Sequence, residues 1–381
     1  MENPMDEKLN PLVLTGTPRQ RGRAHGESLR PAIREGIARW KACLGKNTGL
    51  HPDRCAYLRQ FLAARDFLPA LQKWTPGLVD EIEGIAEGAG LDFPTVYAWQ
   101  LVDEEWLYRR EAFFGTFEAP PGCSGIGVFG DRAGAPLLAQ TMDIPGYYHD
   151  LQTILHIQYP HSDLEAFVFT IPGMVAINGL NNHGVGVCVN TLSQLQPARD
   201  GLPVAAVLCG ILECKTGVEA EGFVRMIRHA SGQNYLIGSP QGITSLECSA
   251  SKVVAFAPSG RSLPVWHTNH PLVNDDTRRF WNAYQKATPE LKAQIDLDLK
   301  DSTDRCVYLE RELADASRGM TVESIHSILS VHDVPVCVDY QDDNQSHTYG
   351  CLIMELAVPP VLHITLGPPC SHPLQEFRYS T

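Results

Sequence analysis

Two textures divide the chain. Up to about residue 115, apolar positions recur at helical spacing. Ala32-Ile33-Arg34-Glu35-Gly36-Ile37-Ala38-Arg39-Trp40 and Leu78-Val79-Asp80-Glu81-Ile82-Glu83-Gly84-Ile85-Ala86-Glu87 both repeat bulky residues every three or four places. Gly88-Ala89-Gly90 and Pro94 punctuate the second of these. From Cys123 onward the apolar runs shorten to strand length, at residues 126–129, 136–142, 153–159, 166–171, 175–178 and 185–190. Helices are predicted over 203–213 and 217–229, then strands over 234–237, 243–248 and 253–256. A helical stretch from Arg305 through Glu323 to Leu329 precedes closing strands over 349–356 and 361–366. This order predicts an α+β architecture of two sheets packed together, with helices over both outer faces. Segment 114–121, with a Gly, a Thr, a Glu and two prolines, is expected to be an exposed connector suited to processing.

Composition narrows the function classes. The 381 residues are 44% hydrophobic and 20% charged, which places the chain among ordinary globular proteins. A formal net charge of -13 argues against a nucleic-acid partner, which would need a concentrated positive surface. The opening residues lack a basic region leading into an apolar run, and no apolar run is long enough to cross a bilayer, so neither a secretory signal nor a membrane partner is expected. The 11 cysteines are scattered without a Cys-x-x-Cys pair or zinc-like spacing, which fits a reducing cytoplasm with no metal and no cofactor. Cys188 and Cys351 sit in apolar runs and are expected in the core.

Cys123 differs from the other cysteines. Glycines flank it, in Pro120-Pro121-Gly122-Cys123-Ser124-Gly125, and a strand begins there. Glycine tolerates backbone angles that other residues resist, so the peptide bond before Cys123 is suited to a strained geometry in which the thiol attacks the Gly122 carbonyl. That reaction would cut the chain and leave Cys123 as an amino terminus carrying both a thiol nucleophile and its base. An α-amino group titrates near about 7.7–8, so no histidine is required.

Five further residues are candidates. Asp143 interrupts the apolar run 138–145, and a hairpin return would bring it beside Cys123; it is equally an Asp that opens the Pro145-Gly146 turn. Asn269, at a strand end in Trp266-His267-Thr268-Asn269-His270-Pro271, offers a side-chain amide to a tetrahedral oxyanion or simply stands in a turn. Arg305, in Ser302-Thr303-Asp304-Arg305 ahead of a helix with Val307, Leu309 and Leu313 on its apolar face, is a site cation or a surface ion-pair former. Asn190-Thr191 either directs a backbone N–H into the site or closes an ordinary strand.

In this order the motifs resemble those of the acyl-coenzyme A:6-aminopenicillanate acyltransferase family of cysteine N-terminal nucleophile hydrolases, which includes isopenicillin N acyltransferase and hydrolases of β-alanyl amines. Residues 16–27 are similar to the family's opening glycine pattern, and residues 83–91 to its second helix and cap. Gly122-Cys123-Ser124 resembles the self-cleavage site, and Gln140-Thr141-Met142-Asp143 the acidic motif. Residues 177–187 resemble the Gly-x-Asn-x-x-Gly strand pair, Thr268-Asn269-His270 the Asn-His element, Ser302-Thr303-Asp304-Arg305 the Ser-x-x-Arg element, and Gly367-Pro368-Pro369-Cys370 the closing turn. Thr141 and Met142 stand where relatives commonly carry Asn and an aromatic, and His183 replaces a small or acidic residue.

The resemblance implies a four-layer αββα sandwich of N-terminal nucleophile hydrolase type, and cleavage between Gly122 and Cys123. It divides the chain into a mainly helical segment, 1–122, retained as a partner chain, and a catalytic segment, 123–381. Cys123 becomes nucleophile and base, Asp143 orients the amine, Asn269 stabilises the oxyanion and Arg305 binds or orders charge near the site; Asn190 and Thr191, from their place at a strand end and not from the resemblance, are candidates for oxyanion or substrate binding. The expected activity is amide hydrolysis of a small N-acyl amine or amino-acid conjugate, with coenzyme A-dependent acyl transfer as the alternative. Two distant rivals are a metallohydrolase using His267 and His270 with a carboxylate such as Asp333, and a non-catalytic binding protein on the same scaffold.

Overall fold

In strand β2 (Cys123–Val128) residues alternate by face: Cys123, Gly125 and Gly127 on one, Ser124, Ile126 and Val128 on the other. The glycine face admits a neighbouring sheet at close range. A Cβ on Gly125 would sit 2.4 Å from Leu236 Cδ1, and one on Gly127 2.8 Å from Ile243 Cγ2. The computed structural model describes residues 9–44, 53–112, 122–129, 134–258, 264–314, 319–343 and 345–379. The expected connector 114–121 lies outside the described residues.

The chain opens with β1 (Leu12–Leu14) and seven helices: α1 (Pro18–Ser28), α2 (Arg30–Cys43), α3 (Arg54–Ala63), α4 (Leu68–Trp74), α5 (Pro76–Ala89), α6 (Phe93–Trp99) and α7 (Val102–Ala112). After β2 come β3 (Leu137–Pro145), β4 (Thr153–Gln158), β5 (Glu165–Thr170), β6 (Asn178–Asn181), β7 (Gly186–Thr191), α8 (Val204–Leu212), α9 (Gly217–Met226), β8 (Gln233–Ser239), β9 (Gly242–Cys248), β10 (Val253–Phe256) and β11 (Val265–His267). The remainder is α10 (Arg278–Lys286), α11 (Pro289–Ala314), α12 (Val322–Leu329), β12 (Ser346–Glu355), β13 (Val361–Thr365) and β14 (Gln375–Arg378).

The strands form an eight-stranded sheet, β1-β4-β5-β6-β7-β8-β9-β10, and a six-stranded sheet, β11-β2-β3-β12-β13-β14. The sheets face each other through β2 and β3 against β7 and β8. Helices α8 and α9 cover the outer face of the larger sheet, and α11 and α12 that of the smaller. On the smaller sheet's outer face, Ile126, Val128, Ala139, Cys351 and Ile353 pack against Leu309, Leu313, Ile325 and Leu329. The arrangement is a four-layer αββα sandwich. Cys188 and Cys351 are fully buried.

The glycine-rich motifs of the N-terminal segment bring two helix backbones into contact. Gly22 and Gly26 of α1, and Gly84 and Gly88 of α5, are four residues apart and so share a face in each helix. A Cβ on Gly22 would lie 1.9 Å from the Glu81 carbonyl oxygen, and one on Gly84 2.3 Å from that of Arg19. A buried ion pair, Arg21 Nη2 to Glu81 Oε2 at 2.7 Å, seals this contact.

Several sequence expectations are corrected. The N-terminal segment is mainly helical as expected and adds one short strand, β1, paired in parallel with β4 at the edge of the larger sheet. Residues 175–177 are not strand: Gly173, at φ 83°, turns the chain, and β6 starts only at Asn178. Helix α9 stops at Met226 rather than 229. Arg305 lies well inside α11, whose upstream half is so charged that only Leu291 and Ile295 mark its buried side there. Val307 is 57% exposed, unlike Leu309 and Leu313, because it lies off their face.

Candidate active site

Three elements meet at the start of β2. Strand β11 pairs antiparallel with β2, His267 opposite Gly125, so the chain leaving β11 carries Asn269 back to Cys123. The Cys123 N–H donates to Asn269 Oδ1 at 2.7 Å. Arg305 reaches in from the outer helix: Nη1 donates to the Cys123 carbonyl (2.9 Å) and Ser124 Oγ (3.1 Å), and Nη2 to Asn269 Oδ1 (3.1 Å). Ser302 is one helical turn before Arg305 and faces the same loop, accepting the Asn269 N–H at 2.8 Å. Asp301 holds the guanidinium from behind, accepting from Nε at 3.0 Å. From the opposite sheet, Asn190 Nδ2 donates to the Cys123 carbonyl at 3.0 Å, while its own Oδ1 accepts from Asn234.

Strand register places Asp143. Cys123 pairs with Met142, so Asp143 falls beside Gly122, and its N–H donates to the Gly122 carbonyl at 3.2 Å. Its Oδ1 accepts from Thr348 Oγ1 at 2.6 Å, where β12 shifts register between Thr348 and Gly350. Asp143 is therefore a buried strand residue rather than the opening of a turn. Gly122 is not among the glycines with positive φ, contrary to the expected strain. A Cβ here would press on Asp143 Oδ2 at 3.1 Å and meet Arg305 Nη2 at an ordinary 3.6 Å, so a side chain would crowd the Asp143 carboxyl.

Burial dominates the electrostatics. It pushes the Cys123 thiol up to about 12, with the Asp143 charge adding to the rise and Arg305 opposing it. Burial also pushes Asp143 up to about 7, against the Thr348 hydrogen bond and Arg305. The thiol thus holds its proton at neutral pH, whereas Asp143 is poised to exchange one. Asn269 differs from its expected role here: its oxygen faces the Cys123 nitrogen, while its Nδ2 donates to the Thr191 carbonyl at 3.2 Å.

The N-terminal segment reaches the site through α7. Asp103 Oδ2 accepts from Thr191 Oγ1 (2.9 Å) and from Gln233 Nε2 (3.0 Å). Next to it, Glu104 Oε1 accepts from Ser231 Oγ (2.7 Å) and from the Val204 N–H that opens α8 (3.0 Å), where a carboxylate meets the positive end of the helix. Beside these groups is a cavity of about 110 Å³, lined by Trp40, Asp103, Tyr147, Tyr148, Met174 and Val189.

The histidine-metal reading finds no support in this geometry. His267 spends Nδ1 on the Thr268 carbonyl and Nε2 on Glu247, and His270 Nδ1 engages Ser302. Asp103, Ser302 and Thr348 were not singled out from the sequence. Ser302 lay within the Ser-x-x-Arg motif, while Asp103 looked like any acidic helix start and Thr348 meets Asp143 only through strand pairing.

Residues 132–369 match the family model described as acyl-coenzyme A:6-aminopenicillanic acid acyl-transferase, which covers more than half of the chain. The chain belongs to this family. Its members are hydrolases and acyltransferases acting on amide bonds, and this chain is an enzyme of that kind. Among solved structures it is similar to a variant of conjugated bile acid hydrolase from Clostridium perfringens, at 12% identity over 68% of this chain and 97% of that one, with a TM-score of 0.42. It is also similar to the Caenorhabditis elegans ortholog of N-acylethanolamine-hydrolyzing acid amidase, at 12% identity over 61% and 93% of the chains (TM-score 0.42). Penicillin V acylase from Agrobacterium tumefaciens aligns at 12% identity over 68% and 86% (TM-score 0.39). No curated protein matches the chain. Among the described residues, no helix is long and apolar enough to cross a membrane.

Proposed function

We propose that the protein is a self-processing cysteine N-terminal nucleophile amidohydrolase acting on a small N-acyl amine or amino-acid conjugate. The supporting observation is the convergence of Asn269, Arg305, Asn190 and Asp143 on the two peptide units flanking Cys123. Few structural roles call for a buried cysteine whose own nitrogen and carbonyl are both held by side chains from distant elements.

In self-cleavage the thiol loses its proton to Asp143, and the sulfur attacks the Gly122 carbonyl carbon. Charge building on the carbonyl oxygen meets the Asp143 N–H. The C–N bond breaks as the Cys123 nitrogen takes up a proton, leaving a thioester between Gly122 and the Cys123 sulfur. Water hydrolyses that thioester to a Gly122 carboxylate and a free amino-terminal Cys123. The new amine stays on Asn269 Oδ1, and in each turnover accepts the thiol proton and passes it to the departing amine of the substrate. The Asn269 and Arg305 contacts support amine orientation and anchoring of the Cys123 main chain as their roles.

The cavity walled by Trp40, Tyr147 and Tyr148 is proposed to receive an apolar part of the substrate. Its walls come from both segments, which supports retention of residues 1–122 as a partner chain. Acyl transfer is the second reading, favoured by the matching family's description. A panel of N-acyl amines assayed with and without an acyl thioester separates the two: hydrolysis indifferent to the thioester supports the first, and product formed only with a thioester and an acceptor amine supports the second.

A further inference from the structure

The loop between α12 and β12 and the turn after β13 are 33 residues apart in sequence but bring two sulfurs within 3.5 Å: Cys337 Sγ and Cys370 Sγ. His332 joins them, and the donor atoms of all three residues lie within 4.8 Å of one another. A carboxylate stands at the same edge, with Asp339 Oδ1 3.8 Å from the Cys370 sulfur. Cys337 is buried, whereas His332, Asp339 and Cys370 are exposed, so the cluster has an open side through which an ion can enter. No linear motif announces it, since the donors come from two segments.

We infer that His332, Cys337 and Cys370 form a structural zinc site, with Asp339 or a water as the fourth ligand. Two thiolates and an imidazole are the donor set that borderline-soft Zn²⁺ selects. Two thiolates on one tetrahedral zinc, each about 2.3 Å from the metal, stand about 3.7 Å apart, close to the spacing seen here. Binding releases two thiol protons to solvent and involves no electron transfer.

The site would act as a clamp. Cys337 N–H donates to the Val331 carbonyl at 3.0 Å, closing the loop that presents His332. Its neighbour Val338 exchanges two hydrogen bonds with Thr348, whose hydroxyl holds Asp143. A zinc tying this loop to the 368–370 turn would stiffen the support behind Asp143 without touching the reacting atoms.

The test is metal analysis of the full-length chain after incubation with Zn²⁺ and exhaustive dialysis, alongside Cys337→Ser, Cys370→Ser and Cys123→Ala. We expect about one zinc per chain in the wild type and in Cys123→Ala, falling to near zero in the other two. Cys370 is exposed, so Cys370→Ser separates loss of metal from loss of fold. A chelator should lower the Tm of the wild type and leave that of Cys370→Ser unmoved. A wild type that holds no zinc, whether its two thiols are free or joined as a disulfide, overturns the site. Zinc retained in both Cys337→Ser and Cys370→Ser overturns it equally, since the metal would then lie elsewhere.

Discussion

Asp143 is the residue whose chemistry is most sharply testable. Burial raises it to about 7, so its proton-accepting form is scarce in acid and abundant above neutrality. The rate of self-cleavage is expected to rise about tenfold per pH unit up to about 7 and then level off, which a pH series on freshly refolded chain will measure by mass. Because the folded value lies above the ordinary one, the group's contribution to stability is greatest in acid and is lost as pH rises through about 7. Asp143→Asn should slow cleavage about 10²- to 10⁴-fold, and cleavage at the wild-type rate would remove Asp143 from the mechanism. Arg305→Lys keeps the charge but cannot reproduce a fork that touches the Cys123 carbonyl, Ser124 and Asn269 together. Cleavage and turnover should both fall at least about tenfold in that variant, read by single-turnover mass and steady-state assay. The choice of Cys123, Asp143, Asn269 and Arg305 as candidates was legible in short motifs in a fixed order, and that of Asn190 only in a strand end. Their contacts were not: Asn269 was expected to aim its amide at an oxyanion, and only three-dimensional placement turns its oxygen to the Cys123 nitrogen.

At the scale of elements, strands were easier to read than helices. Short apolar or alternating runs marked β2 through β5 and β7 through β10 to within a few residues, because most of those strands are buried and carry mainly apolar side chains. Helix α11 was misjudged in its first half because solvated charges dilute the apolar stripe. The glycines of residues 16–27 and 83–91 carried a family likeness, but their physical role, contact between the α1 and α5 backbones, follows from the carbonyl oxygens that a side chain would strike. Gly22→Ala and Gly84→Ala are therefore expected to cost about 1–3 kcal/mol or more each, visible as a lowered Tm. Alanine at Gly222, with nothing within 4 Å of its Cβ position, is the matched control and should leave Tm nearly unchanged or slightly raised.

For the whole molecule, the N-terminal segment is part of the fold. It supplies the edge strand β1, the α1–α5 pair, and the Asp103 and Glu104 anchors that fasten α7 to β7 of the larger sheet and to the start of α8. After cleavage the two parts should co-elute as one species under native conditions and separate only in denaturant, which size exclusion with intact mass will establish. Release of residues 1–122 from active protein would break the proposed substrate cavity, since Trp40 and Asp103 belong to that part. The most direct measurement of the central claim is intact mass with amino-terminal sequencing of the purified wild type beside Cys123→Ala. The account predicts a wild type in two pieces, the larger beginning at Cys123, and an uncut, inactive variant. A wild type that stays whole while turning over substrate at its full rate would contradict it.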